Sequence, residues 1–331
     1  MRRILNLFLL LVLSSCVTAR VAEIPTGTPN SVTTKVVPTN TALVSTSIPT
    51  IAPTTEIPCD PFRVDYCITE GHFILQRPIR PPANELLDET YLYGSTAEGT
   101  REPHHGVEFP NQSGTPVYAA AEGTVLFAGA DKQAVYCPWP NFYGNLIVLK
   151  HKDGLFTLYA HLSKIDVEAG QAVNTRTKIG EVGRTGVAIG SHLHFEVRWG
   201  DVEDYFATQD PQLWLMPAND PRGQGGRFAV LAISVMEADH KLVKYAKYTI
   251  TSSQQQSEEG VKSYYGITYP ADMLKGDTRS TPQSGSVEQN AVLGELLAGR
   301  YRIAIERNGK VYERWVEVES GKLTQVVFVV K

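Results

Sequence analysis

The chain has 331 residues, 42% of them apolar, with 31 basic against 35 acidic side chains and a formal net charge of −4. That length suffices for about two domains, each able to bury a core. The near balance of charge, with no cluster of Lys and Arg, excludes a nucleic-acid binder, and a mean hydropathy of −0.16 with one long apolar run excludes a polytopic membrane protein.

Arg2 and Arg3 precede an apolar run from Ile4 to Leu13, which is followed by Ser14, Ser15 and Cys16. The run is about half of what a membrane-crossing helix needs, so residues 1–15 read as a signal peptide. Leu13, Ser14, Ser15 and Cys16 resemble a bacterial lipobox. That implies Cys16 as the lipid-bearing first residue of an extracytoplasmic chain held to the cell membrane; an ordinary secretory signal that happens to contain a cysteine stays open. Residues 16–58 turn to Thr, Pro, Ser and Val with hardly a charge. Such a composition cannot bury enough apolar surface to offset its ordering entropy and predicts a disordered tether.

With Cys16 acylated, Cys59, Cys67 and Cys137 remain in a compartment that permits disulfides. A Cys59–Cys67 bridge around a short turn-rich loop is the first expectation, leaving Cys137 free, although spacing alone does not fix the pairing. No CxxC pair points to a cysteine zinc site.

Residues 59–218 form the first predicted domain. Thr115–Ala120, Gly123–Ala128, Leu146–His151, Phe156–His161 and Leu193–Trp199 are β-branched or aromatic runs bounded by Gly, Pro or Asn, predicting a mostly antiparallel β domain. Six of the eight histidines fall here: His104, His105, His151, His161, His192 and His194. A single buried His is usually structural, but His192 and His194 are two apart in a strand-like run and therefore share a face. Two adjacent imidazoles repel as cations, so a shared metal or substrate is the economical explanation. His104 and Glu108 keep even parity across Gly106, which permits a close backbone approach, and can converge with His194 on one metal.

The run Tyr93–Arg198 resembles the lysostaphin-type, LytM-like zinc metallopeptidases, whose HxGxD, GTPV, YAHL and HLHFE motifs stand here in order as His104–Glu108, Gly114–Val117, Tyr159–Leu162 and His192–Glu196. The resemblance implies that His104, Glu108 and His194 hold Zn²⁺. It also implies that His161 and His192 flank the metal-bound water as general base and as donor to the developing oxyanion, and that the substrate is the peptide portion of peptidoglycan. Glu108 departs from the family's Asp, and Ser191 from the usual proline. Tyr91 and Tyr93 precede the first ligand, and whether either assists the oxyanion, as a tyrosine does in that family, stays open because the register before His104 is not fixed. His105 and His151 are read as structural or exposed. Ala130–Asn145, with Tyr136, Trp139, Phe142 and Tyr143, either walls a substrate groove or packs its own aromatics on the surface.

A Pro and Gly cluster at Pro217–Gly226 marks a boundary, and residues 219–331 are predicted as an accessory β-sandwich. Arg227–Val235, Leu242–Ile250 and Leu323–Val330 are strand-like. Thr251–Gly260 is a polar stretch, Lys275–Gln289 a loop, and Asn308–Gly309 between alternating runs signals a type I′ hairpin. The pattern resembles transthyretin-like or carboxypeptidase-regulatory sandwiches, without a chemical motif. The fold expected is therefore all-β. The function expected is a zinc metalloendopeptidase acting on the cell wall; the alternative is a catalytically silent wall-binding or hydrolase-activating domain of the same fold. No regulatory protein partner is legible.

Overall fold

A computed structural model describes residues 59–221, 226–257, 260–270, 273 and 288–331. The signal peptide, Cys16, the tether and most of the 275–289 loop lie outside the described residues.

The first half of the described chain forms β1 (Cys67–Thr69), β2 (Val107–Pro110), β3 (Pro116–Tyr118), β4 (Gly123–Ala130), β5 (Asn145–Lys150), β6 (Leu155–Ala160), β7 (Lys164–Ile165), β8 (Ala172–Val173), β9 (Lys178–Glu181), β10 (His192–Trp199) and β11 (Thr208–Gln209). A 7-stranded antiparallel sheet runs β11-β10-β6-β5-β4-β8, with β2 also on β10; β3, β9 and β7 make a small 3-stranded sheet. β10 organises the domain. Leu193, Phe195 and Val197 on one face join a core with Val107, Phe109, Ile147 and Tyr159. On the opposite face His192, His194, Glu196 and Arg198 are polar yet buried.

The second half supplies β12 (Ala229–Met236), β13 (Lys247–Ser257), β14 (Gly260–Ile267), β15 (Ala291–Leu296), β16 (Gly299–Arg307), β17 (Lys310–Val318) and β18 (Leu323–Val329) in two 4-stranded sheets, β1-β18-β12-β15 and β14-β13-β16-β17. Ala229, Leu231, Ile233, Ile303, Ile305, Val316 and Phe328 pack between them. The β16–β17 turn is Asn308–Gly309, with φ of 51° and 72°, the positive pair that a type I′ turn requires.

Two expectations shift. Within the polar stretch Thr251–Gly260, Thr251–Ser257 extends β13 and Gly260 opens β14, because a sheet with one solvated face accommodates polar residues. The core sheet is antiparallel as expected; in the accessory half, for which no strand direction was expected, β12 and β18 run parallel. The division at 218/219 is crossed by β1, which pairs with β18 and so adds a strand to the accessory sheet. Just before it, Cys59 and Cys67 are joined by a disulfide with Cα atoms 5.8 Å apart, and Cys137 is free and buried.

The two halves pack as one compact unit. Val230, Ala232, Val292 and Leu323 belong to the same apolar cluster as the β10 core. Polar side chains bridge them: Arg77 pairs with Glu295 at 2.8 Å, Tyr269 Oη donates to Asp210 Oδ2 at 2.6 Å, and the Gly294 amide donates to Gln212 Oε1 at 2.7 Å.

Candidate active site

Register delivers the side chains. Glu108 on β2 lies directly across from His194 on β10, and Ala160 at the end of β6 lies across from His194 on the other side. Cross-strand partners point to the same face about 5 Å apart, so Glu108 and His194 meet without any loop to place them. His161 follows β6 with φ of 61°, a left-handed residue that ends the strand and turns the imidazole toward its neighbours. Its ring lies 5.0 Å from that of His192 and 5.6 Å from that of His194.

Gly106 is dictated by space. A Cβ there would stand 2.5 Å from the carbonyl oxygen of Phe195 and 2.9 Å from Cε1 of His194, so only glycine lets the strand entering β2 pass over that imidazole.

The tautomers follow from the partners. A carbonyl only accepts, so His104 donates its Nδ1–H to Tyr91 O at 2.9 Å and keeps a lone pair on Nε2. His194 donates Nε2–H to the Glu196 carboxylate at 3.0 Å and keeps its lone pair on Nδ1. Those two lone pairs face each other at 3.1 Å, a contact that no hydrogen bond between them can satisfy. Glu108 Oε1 lies 3.8 Å from His104 Nε2, and ligand atoms from all three residues fall within 4.8 Å of one another. Tetrahedral zinc bonded at about 2.1 Å spaces its ligands about 3.4 Å apart, so this donor set fits the ion. The Glu108 side chain reaches the site despite its extra methylene.

His161 and His192 are held in the same manner, with Nδ1–H donated to Thr185 O at 2.9 Å and to Gly190 O at 3.1 Å. Nε2 of His192 is buried without a hydrogen-bond partner and lies 3.3 Å from Glu108 Oε1. Burial first, then the charges of His194 and His192, bring His161 down to about 3; burial and His194 bring His192 down to about 4. Burial also lowers His104 and raises Glu108, the latter opposed by His194. At neutral pH His104, His161 and His192 are therefore neutral, each with a lone pair on one nitrogen.

Behind His194 stands a second layer. Glu196 Oε1 also accepts from Tyr143 Oη at 2.7 Å, while Oε2 accepts from Arg198 Nε at 2.9 Å and Nη2 at 2.7 Å. Burial opposes its charge, but Arg198 and then His194 hold the Glu196 carboxyl below the usual range. Sequence reading quoted Glu196 only as part of a motif and gave Arg198 no role; the i, i+2 spacing of His194, Glu196 and Arg198 was the available signal.

The cleft has a volume of about 520 Å³ and is bordered by Tyr91, Arg101, Phe142, Val187, Ile189 and Tyr205. Tyr91 stacks on His104 at 4.2 Å, whereas Tyr93 is buried with its hydroxyl on Thr208. His105 and His151 are both buried: His105 stacks on Tyr205 at 3.8 Å, and His151 bonds Glu122 O and Thr157 Oγ1. Ala130–Asn145 packs partly inward and partly on the cleft. Tyr136, Cys137 and Tyr143 pack in one buried apolar cluster with Leu146, Leu158 and Tyr205, Tyr143 Oη reaches Glu196 and Arg198, and Phe142 lines the cleft.

Residues 102–205 match the family model described as Peptidase family M23. This segment is an M23 domain. The chain is 38% identical over 119 residues to the cell division protein DipM of Caulobacter vibrioides, covering 36% of this chain and 18% of that protein. It is 39% identical over 95 residues to the peptidoglycan DD-endopeptidase ShyA of Vibrio cholerae, covering 29% of this chain and 20% of that one. It is 32% identical over 222 residues to the glycyl-glycine endopeptidase ALE-1 of Staphylococcus capitis, covering 66% of this chain and 52% of that one. The chain thus spans about a fifth of the first two relatives' length. Among solved structures, the catalytic domain of lysostaphin from Staphylococcus simulans aligns with a TM-score of 0.30 at 27% identity, covering 47% of this chain and 96% of that domain. His104, Glu108, His161, His192 and His194 all lie inside the M23 domain.

Proposed function

We propose that the M23 domain is a zinc metalloendopeptidase that hydrolyses peptide bonds in bacterial peptidoglycan. The observation that carries this is the pair of imidazole lone pairs 3.1 Å apart, each fixed by a hydrogen bond on its far nitrogen, with a carboxylate beside them. ShyA and ALE-1, both named as endopeptidases, supply the substrate class by similarity.

His104 Nε2, His194 Nδ1 and Glu108 would hold the ion. Zinc bound there supplies a Lewis acid and brings the pKa of a bound water to about 7. His161 and His192, neutral and with Nε2 free, are placed to take the proton of the attacking water. The same proton, then on an imidazolium, is available to the departing amine. An imidazolium of this pair also donates to the oxygen on which negative charge develops. Glu196 keeps His194 in the tautomer that presents Nδ1 forward, and Arg198 keeps Glu196 ionised.

The test is direct. The purified protein should carry close to one equivalent of zinc and release peptide fragments from isolated peptidoglycan in a chelator-sensitive manner. Less than about a tenth of an equivalent, with no chelator-sensitive release, overturns the enzyme reading in favour of a silent wall-binding or hydrolase-activating domain.

The lipobox-like Leu13–Cys16 supports a mature chain anchored to the cell membrane through acylated Cys16, on the extracytoplasmic side. Metabolic labelling with a fatty acid should tag the protein and be lost in Cys16→Ser.

A further inference from the structure

We propose that the outward face of the β14-β13-β16-β17 sheet is a second binding site, for the uncharged amino-sugar strand of the polymer whose peptides the cleft cuts. This rests on the peptidoglycan reading above.

The inner face of that sheet is spent on the core through Ile250, Tyr301, Ile303 and Ile305. The outer face carries two rows in register. Tyr265, Thr249, Ala304 and Glu313 form one, and Ile267, Lys247, Glu306 and Val311 the other. Tyr265 is 77% exposed and Val311 61%, so both side chains stand free of the core. Beside this face runs the 89–98 segment of the first half, and between them lies a cavity of about 700 Å³ lined by Glu98, Thr249, Tyr265, Ala304, Glu306 and Val311.

The chemistry selects the occupant. A pyranose ring presents a face of C–H groups that packs on an aromatic ring, and the short neighbours Thr249 and Ala304 leave Tyr265 standing clear of the sheet. Its hydroxyl and acetamido groups need donors and acceptors together, which Lys247, Thr249 and Glu306 supply. Glu89, Glu98 and Glu306 in the lining disfavour a polyanion, and the alternation of Thr, Lys and Glu breaks up the continuous apolar patch that a lipid or an apolar helix requires.

Continuity with the cleft fits the same polymer. The 89–98 segment borders both spaces: Tyr91 stacks on His104 and accepts its Nδ1–H, while Glu89, Thr90 and Thr96 line the groove. A sugar strand lying in the groove would run along the segment whose Tyr91 packs on His104.

The experiment uses the full-length protein and three probes: glycan strands stripped of peptide with their lactyl carboxyls capped as amides, chitopentaose, and a soluble crosslinked peptide without sugar. Wild type should bind both glycans, and Tyr265→Ala should weaken that binding on the order of tenfold while leaving hydrolysis of the soluble peptide unchanged. Tyr265→Phe, which keeps the ring, should retain binding, and Ala304→Arg, which fills the groove, should lose it. Glycan binding by Tyr265→Ala and Ala304→Arg equal to wild type overturns the proposal, as does loss of binding to the soluble peptide instead. If wild type binds glycan through Tyr265 yet cleaves nothing, the groove stands and the enzyme reading falls.

Discussion

His194 donates Nε2–H to Glu196 at 3.0 Å, and Glu196 in turn holds the fully buried Arg198 through Nε and Nη2. The carboxylate thus neutralises a buried cation and fixes the tautomer of a candidate zinc ligand at once. Removing its charge should show both effects. Glu196→Gln is expected to lower stability by about 3–5 kcal/mol, since Arg198 is left without its counter-charge, and to weaken zinc binding about 10–100-fold. Thermal unfolding and a competitive zinc titration measure the two separately.

Glu108→Ala should empty the metal site, and Glu108→Asp should retain zinc. Metal analysis after gel filtration checks this. Unchanged zinc in the alanine variant would remove Glu108 from the ligand set.

His161→Ala should abolish hydrolysis with zinc retained, because its Nε2 is not among the three candidate ligand atoms. A loss of about 10²–10⁴-fold in rate is the size that general acid–base catalysis contributes. Loss of the metal along with the rate would instead make His161 a ligand.

Asp210 is buried at the junction of the two halves, and burial raises its pKa from 3.8 to about 6 against the pull of Tyr269 and Gln212. A carboxyl that binds its proton more tightly when folded stabilises the fold fully below its unfolded pKa. That contribution is lost as pH rises through the folded value. Stability should therefore fall between about pH 4 and 6, by at most about 3 kcal/mol from this group. Asp210→Asn should flatten that limb in a series of melting curves.

Gly106→Ala should cost about 1–3 kcal/mol and displace His194, because the added methyl meets Phe195 O at 2.5 Å. A lower melting temperature together with reduced zinc content is the expected pair of results.

The histidine cluster was legible in the sequence because strand parity is a two-residue rule. Once His192 and His194 are placed in a strand, they and Glu196 must share a face. Gly106 could be read in the same manner, as the residue permitting close passage. The Asn308–Gly309 turn was legible because its dihedrals leave few other choices. What was hidden depends on contacts distant in sequence. Nothing in Cys67–Thr69 announces that it pairs with Leu323–Gln325, and nothing in Thr251–Ser257 distinguishes a solvated strand from a polar loop. β15 escaped notice for a related reason: Ala291–Leu296 is mostly buried without alternation, with Gly294 and Glu295 interrupting its apolar residues, and so lacks the period that marks a half-exposed strand. Arg198 was invisible as a positioning residue because a charged side chain on a strand is ordinarily read as solvent-facing.

The joining of β1 to β18 has a mechanical consequence. A pull applied at residue 59 passes through the disulfide straight to Cys67, bypassing the intervening loop, and enters the fold at the edge of the accessory sheet. The load is then shared in shear along the β1–β18 pairing and passed to β12, which runs parallel to β18. The sheet that carries Glu108 and His194 lies off that line of force, so strain arriving from the N-terminal side is borne away from the chemistry.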